Sequence, residues 1–425
     1  MKILAPLRLP GFRVLWTGMT VSLIGDGITL VAIAWQVYAL SNVPTALGIT
    51  MMAMSIPHVV LLLFGGAISD RFDRRWVMLG ADVVRGVALT VMGVLSLTGV
   101  LEIWHMTVIA AFYGAGSAFF GPAFDAVVPE LVPVELLPQA NSLDQFVRPT
   151  AARLVGPALG GWIIAGVGVG WAFIADAATF AISVACLIRL GKIERRAPVD
   201  ESAAHESLWA EIREGLAFVW SRTWLWGTFL AATLAYLVFL GPSEVLLPYL
   251  VKNELGGNAG DLGMVLAAGG VGAVTASIIM AQRGLPARNM TFIYVSWSFA
   301  TLMVAGYGIA RMPWEAMIAC FVFNLFESAG LIVWITTKQL LVPPRLLGRV
   351  SSVDWFVSIG LMPVSYALAG PIAEFVGVRL TLIGAGILGA AITLAFLLLP
   401  GVRSAERAMP GAATRQAMHY PPPAR

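Results

Sequence analysis

The chain is a succession of long apolar runs separated by short polar breaks. Each run is apolar around its whole circumference rather than along one stripe. Its length matches the roughly 20 residues a helix needs to cross about 30 Å of hydrocarbon. Six runs fall near residues 12–40, 45–69, 76–98, 104–128, 139–166 and 170–190, and six more near 224–251, 258–282, 289–310, 314–341, 350–376 and 378–399. Numbered spans 1 to 12 in that order, they predict an all-α membrane protein. Turn-forming breaks such as Ser41-Asn42-Val43-Pro44 and Pro343-Pro344-Arg345 punctuate them.

One break is far longer than the rest. The polar stretch 191–222 divides the chain into an N-terminal six-helix half (1–190) and a C-terminal six-helix half (223–400), followed by a tail (401–425) whose Pro421-Pro422-Pro423 reads as disordered. Within the central stretch, Leu208, Trp209, Ile212, Leu216, Val219 and Trp220 share a helical face opposite Glu211, Arg213 and Glu214. This is either an amphipathic helix on the membrane surface or an extension of span 7. Two six-helix halves joined by a central loop is the plan of carriers built from internal repeats, whose substrate site lies between the halves near the midplane.

Composition supports the membrane reading: 58% of the residues are hydrophobic and 12% charged, about half the charge of a soluble protein. The net charge of +3 does not point to nucleic acid, because the cations are dispersed among the breaks. With the N-terminus inside, 21 Lys and Arg fall in inside segments, while only Lys252, Arg311 and Arg379 fall outside. That bias predicts both termini on the cytoplasmic side. Lys2, Arg8 and Arg13 precede a first span too long for a signal-peptide core, so it is expected to be retained. Cys186 and Cys320 both sit in apolar spans, and neither disulfide nor metal-ligand spacing is seen. No cofactor is expected, and a monomer is.

Two segments carry recognisable patterns. Between spans 2 and 3 runs Gly65-Gly66-Ala67-Ile68-Ser69-Asp70-Arg71-Phe72-Asp73-Arg74-Arg75. Asp70 ends an apolar helix at the interface, where it can pair with basic groups or cap a neighbouring helix, and Gly66 permits close approach. Span 5 holds Arg153-Leu154-Val155-Gly156-Pro157-Ala158-Leu159-Gly160-Gly161. Small residues at 152, 156 and 160 line one helix face, and Pro157 removes a backbone donor.

The first run resembles the G-x-L-A-D-R-x-G-R-R loop of the major facilitator superfamily, and the second resembles the G-x-x-x-G-P-x-x-G-G motif of its drug:proton antiporters. Gly25-Asp26-Gly27, Glu130-Leu131-Val132-Pro133, Gln139-Ala140-Asn141-Ser142, Glu214-Gly215-Leu216 and Gly348-Arg349-Val350 resemble the macrolide-efflux, Tap-type multidrug and enterobactin-exporter group. The resemblance covers residues 10 to 400. It implies a bacterial inner-membrane exporter of drugs or other lipophilic small molecules driven by proton antiport. Gly66, Asp70, Arg71, Arg74 and Arg75 would form a cytoplasmic gating loop, and Gly156, Pro157, Gly160 and Gly161 would close the outer side. A siderophore or metabolite exporter, or a proton-coupled uptake symporter, is the alternative. Departures exist: if Gly114 is the glycine of the span 4 R-x-x-Q-G motif, Ala110 stands in place of its arginine, and the second-half loop 281–288 lacks its Asp.

A charge mid-helix costs about 2.5–3.5 kcal/mol on insertion scales, so each needs a reason. Asp26 in span 1 and Glu327 in span 10 both lie near the midplane, one in each half. Stripped of water, a carboxyl holds its proton more readily, which suits a proton-coupling group. Asp26 is therefore the first candidate for proton or substrate coupling and Glu327 the second, the alternative being a neutral carboxyl bonded to a neighbouring helix. Arg153 has no local partner. It could neutralise either acid or bind an anionic substrate group. Asp82 with Arg85, and Asp144 with Arg148, read as structural pairs, and Asp176 and Glu244 as hydrated groups near the outer surface. His58 could titrate. Trp35, Tyr38, Phe119, Trp297, Trp334, Trp355 and Met51, Met52 and Met54 would suit an adaptable drug cavity or plain packing.

Rival classes lack their motifs. The chain has no G-x-x-x-x-G-K-[S/T] loop for a primary pump, and no H-E-x-x-H, G-x-S-x-G or G-x-G-D for an intramembrane enzyme. The coupling ion is expected to be the proton, with sodium as the other choice.

Overall fold

The computed structural model describes residues 2–191 and 208–408, with side chains left out at some helical positions, 63–71 among them. Among the described residues, twelve helices are long and apolar enough to cross a membrane. They are Pro10–Leu40, Pro44–Arg71, Arg74–Leu97, Ile103–Leu131, Gln139–Val167 and Val169–Leu190, then Thr223–Glu254, Ala259–Arg283, Asn289–Ile309, Pro313–Leu341, Leu346–Val376 and Val378–Leu397. These match the apolar runs to within a few residues.

The two sets of six repeat one pattern. Span 1 packs on 6, 2 on 4 and 3 on both 4 and 6, and the same pairs recur as 7 on 12, 8 on 10 and 9 on 10 and 12. Even the tightest turns correspond. A single residue, Gly168 (φ 100°), joins spans 5 and 6, and a single residue, Gly377 (φ 92°), joins 11 and 12. Only glycine takes that backbone conformation without strain.

The halves meet along spans 2 and 11 and along 5 and 8. At the end of the bundle bearing the 41–43 turn, one buried apolar cluster is continuous across both halves, from Val31 and Leu47 to Leu246, Leu262 and Tyr366. At the other end the cluster splits in two. Phe12, Met78 and Phe124 belong to the first half, whereas Trp224, Met290 and Leu346 belong to the second. Among the described residues, the buried apolar clusters thus seal the halves together at one end and stand apart at the other.

Backbone irregularities flank this seam. Span 5 widens to a π-helical turn over Thr150–Val155, immediately before Pro157, and span 7 does so over Pro242–Leu246 and Leu250–Glu254. Such bulges re-aim side chains within a helix and concentrate at functional sites. The described part of the central stretch is a helix, Leu208–Trp220, separated from span 7 by a break at Ser221-Arg222. Val219 buries into the second-half cluster and Glu214 pairs with Arg349. Residues 192–207 and the side chains of Leu208, Trp209, Glu211 and Ile212 lie outside the described residues. Past Pro400 the chain stays packed as far as Glu406: Ser404–Ala408 forms a helical turn, Val402 and Ala405 are buried, and Glu406 accepts from Thr291 N at 2.6 Å. The tail expected to be disordered lies outside the described residues from 409 onward.

Candidate functional site

Between the halves lies a cavity with two lobes, of about 340 and 250 Å³, which share Arg153, Tyr236, Phe239, Phe323, Glu327 and Ser358. The first lobe is walled by Leu30, Leu47 and Met51 from one half and by Leu266, Tyr307 and Met362 from the other. The second lobe is lined by second-half residues, among them Trp297 and Trp334, with Arg153 the one first-half residue reaching it among the described residues. Apolar and aromatic walls with a few converging polar groups are the usual makeup of a small-molecule pocket.

Arg153 comes from the widened turn of span 5. Its Nη1 lies 3.9 Å from Glu327 Oε2 and 3.3 Å from Asn324 Oδ1, and its side chain is 54% exposed. The pair is loose, solvated and spans the two halves. Two further acids face the same space. Glu244 accepts a hydrogen bond from the Tyr366 hydroxyl, and Asp354 pairs with Lys338 and accepts from Trp334 Nε1 at 3.0 Å. The outer-surface reading of Glu244 is therefore corrected: the π turn of span 7 delivers it to the cavity wall.

Asp26 is elsewhere. It opens on a separate cavity of about 220 Å³ inside the first half, with Arg85, Tyr113 and Arg148. Its Oδ1 accepts from the Tyr113 hydroxyl at 2.5 Å and lies 3.7 Å from Arg85 Nη1. Arg85 is simultaneously paired with Asp82, whose other oxygen accepts from Ser183 at 2.6 Å. A third acid, Asp176, accepts from Thr29 at 2.6 Å and Thr179 at 2.8 Å and is 0% exposed, so the hydration read for it does not occur. Gly25 makes this approach feasible, since a Cβ there would stand 1.9 Å from Asp176 Oδ1. On the other side of Asp26, Gly27 lies against Ala152, Gly156 and Pro157 of span 5. The Gly25-Asp26-Gly27 run thus lets spans 5 and 6 close on span 1 around one acid.

Arg153 and Glu327 are brought together, and Asp26 is not with them. Gly156 packs on Gly27, Gly160 on Ile28, and Gly161 across the seam on Ala259 and Gly263 of span 8, where Gly263 meets Pro157 O. Arg74 bonds Ala126 O at 2.9 Å and Glu130 at 2.6 Å, and Arg75 bonds Leu187 O at 2.7 Å and Ile188 O at 3.0 Å. Both tie the start of span 3 to the carbonyl ends of spans 4 and 6. Gly66 and the side chains of Asp70, Arg71 and Trp355 lie outside what the structure describes. Asp144 and Arg148 pair at 2.7 Å. Missed by sequence reasoning were Asp176, Glu244 and Asp354 as site residues and Arg85 as partner to Asp26. Only the charge itself, inside an apolar run, marked them.

Polar contacts also cross between the halves at the sealed end. Tyr38 donates to Val245 O at 2.6 Å, Asn42 to Asn253 at 2.7 Å, Thr45 to Glu374 at 2.6 Å, and Lys252 to Tyr38 O.

Comparison with known proteins adds the rest. A family model described as transmembrane secretion effector matches residues 1–423. The multidrug efflux pump Tap of Mycolicibacterium fortuitum is 27% identical over 411 residues, covering 94% of this chain and 98% of that one. Macrolide efflux protein A of Streptococcus pyogenes is 22% identical over 372 residues, 87% of this chain and 90% of the relative. Among solved structures, a POT family transporter in complex with a thioalcohol-conjugated peptide superposes with a TM-score of 0.71 over 92% of this chain and 96% of its own, at 14% identity.

Proposed function

The chain belongs to the transmembrane secretion effector family of major facilitator transporters, and from that membership we propose that it exports lipophilic small molecules by proton antiport, with the two-lobed cavity as the substrate site and Asp26 as the coupling acid. The observation that carries this reading is the separation of the two chemistries. The cavity between the halves holds apolar walls with the solvated Arg153–Glu327 pair, while Asp26 sits outside that cavity, in a polar cluster of its own. Separate sites on helices that move together are one way for a carrier to couple two species.

With the N-terminus cytoplasmic, the sealed end faces outward and the parted end opens to the cytoplasm, where an exporter loads. Glu327 and Glu244 favour a substrate with a basic group on an apolar body. Efflux of drugs by Tap and of macrolides by macrolide efflux protein A, both similar along most of the chain, supports the export direction. A second reading, export of an anionic metabolite, rests on Arg153: its side chain, 54% exposed, is the one first-half group among the described residues that reaches the second lobe.

The test is transport of ethidium into proteoliposomes under an imposed pH gradient. Accumulation that collapses when an uncoupler dissipates the gradient is the expected result. Ethidium movement indifferent to the gradient would sink the antiport reading, and preference for an anionic dye over ethidium would select the Arg153 reading.

A further inference from the structure

Span 4 gives Asp26 a hydroxyl, from Tyr113, and the cation beside it comes from span 3. Arg85 is 4% exposed, with its guanidinium between two rings, 4.3 Å from the Phe180 centroid and 4.9 Å from that of Phe120. This aromatic sleeve confines the group without using its donors. One end is committed: Nη2 pairs with Asp82, itself 0% exposed and satisfied on its other oxygen by Ser183. The other end is not. Nη1 stands 3.7 Å from Asp26 Oδ1, beyond hydrogen-bond length yet well inside Coulomb range, and Nε is buried with no hydrogen-bond partner. A buried guanidinium donor left unmade is a costly arrangement to keep. Of the two acids, only Asp26 is wet, its side chain 27% exposed on the 220 Å³ cavity.

Resting on the antiport reading, we propose that Arg85 is the positioning residue of the coupling site, held permanently by Asp82 and lent to Asp26 when that acid is ionised. Loss of a proton from Asp26 draws Nη1 across the gap into a charge-assisted hydrogen bond. Return of the proton releases it wholly to Asp82. Because Asp82 and Arg85 belong to span 3 and Asp26 to span 1, each proton changes the bond between two helices of the first half. The other charged or titratable groups nearby are Asp176 from span 6, bonded through Thr29 and Thr179; Arg148 from span 5, on the same cavity; and His58 of span 2, within electrostatic reach of Arg85.

The test is an infrared difference titration of carboxyl protonation on the full chain in detergent, with Asp26→Asn identifying the Asp26 band. Arg85→Gln removes a cation beside the acid, so protonation persists to higher pH. The band midpoint should rise by about one to three pH units, and Arg85→Lys should restore most of the shift. An unmoved midpoint in Arg85→Gln with an unchanged melting transition would overturn the proposal and leave Arg85 as the structural partner of Asp82 alone. If that variant fails to fold because Asp82 is stranded, Asp82→Asn/Arg85→Gln is compared with Asp82→Asn alone, so that the same readout isolates the loss of Arg85, with the same two outcomes. The titration needs no substrate. A failure of gradient-driven ethidium transport is therefore read separately from a failure of the Arg85 assignment.

Discussion

The two halves each hold a half-buried acid well inside a span, Asp26 and Glu327, and they surround it differently. In the first half Asp26 belongs to a packed cluster where one guanidinium serves two carboxylates, a tyrosine caps the shared oxygen, and Asp82 and Asp176 are wholly dry. In the second half Glu327 faces a cavity, and its cation arrives loosely from the opposite half at 3.9 Å. Asp26 itself is 27% exposed, but the cation beside it is shared with the wholly dry Asp82, and a buried charge without its partner costs about 3–5 kcal/mol. In the second arrangement the cation, Arg153, is 54% exposed, so that contact costs little to rearrange. The first arrangement suits switching on a single proton, and the second suits accepting molecules of varied shape.

That contrast breaks most sharply at Asp26. Asp26→Asn keeps a group able to accept from Tyr113 but cannot cycle a proton. Gradient-driven ethidium accumulation should fall at least about tenfold, while ethidium binding measured by fluorescence anisotropy stays near wild type. A variant that accumulates ethidium normally would move the coupling role out of the first-half cluster.

The next largest effect concerns the seam. A Cβ on Gly263 would stand 2.5 Å from Pro157 O, a backbone atom that cannot swing aside. Gly263→Ala should wedge spans 5 and 8 apart at a cost of about 1–3 kcal/mol. It should shift the population away from the form sealed at the 41–43 end by about fivefold or more. Disulfide trapping between cysteines placed at positions 42 and 253, whose side chains now touch, reads that population, and an undiminished yield would mean the seam relaxes around the methyl.

How much of this was legible beforehand follows from what each feature depends on. The twelve spans are fixed by length and hydropathy, which are local, and they emerged within a few residues. The mid-membrane acids Asp26 and Glu327 were visible because a charge inside an apolar run has no local excuse. Asp176 was misread because depth was taken as a proxy for water. Near a helix end it is nonetheless sealed by Gly25 and Thr29 of span 1, a contact between residues some 150 positions apart. Arg85 was assigned to Asp82 because three residues of spacing announce that pair, whereas its proximity to Asp26 exists only once spans 1 and 3 are packed. Glu244 was missed for a backbone reason, since a π turn rotates it relative to a regular helix. The span 5 glycines carried a pattern readable in sequence, but which neighbour each one meets did not follow from it.

In the central cavity the expected effects are smaller. Glu327→Gln retains size and hydrogen bonding but loses its charge toward Arg153 and any basic substrate. Because the contact is long and solvated, about 1 kcal/mol is at stake. The KM for ethidium should rise by roughly fivefold while the pH midpoint of transport stays put. A shifted midpoint with unchanged KM would reverse the division of labour between the halves and place the proton on Glu327.

The smallest effect tests whether the sealed end is held by polar contacts or by the apolar cluster beneath them. Thr45 Oγ1 donates to Glu374 at 2.6 Å and its backbone N–H at 3.2 Å, so one carboxylate receives two donors across the seam. Both residues are exposed, so water competes for each bond, and the pair should contribute about 0.5–1.5 kcal/mol. Thr45→Ala removes one donor and leaves the other. The 42–253 trapping yield should then fall by roughly twofold to fivefold, well short of the Gly263→Ala effect. A loss as large as the glycine variant's would assign the seal to hydrogen bonding. The continuous cluster through Val31, Leu47, Leu246 and Tyr366 argues instead that apolar burial holds that end shut and that the polar contacts set its register.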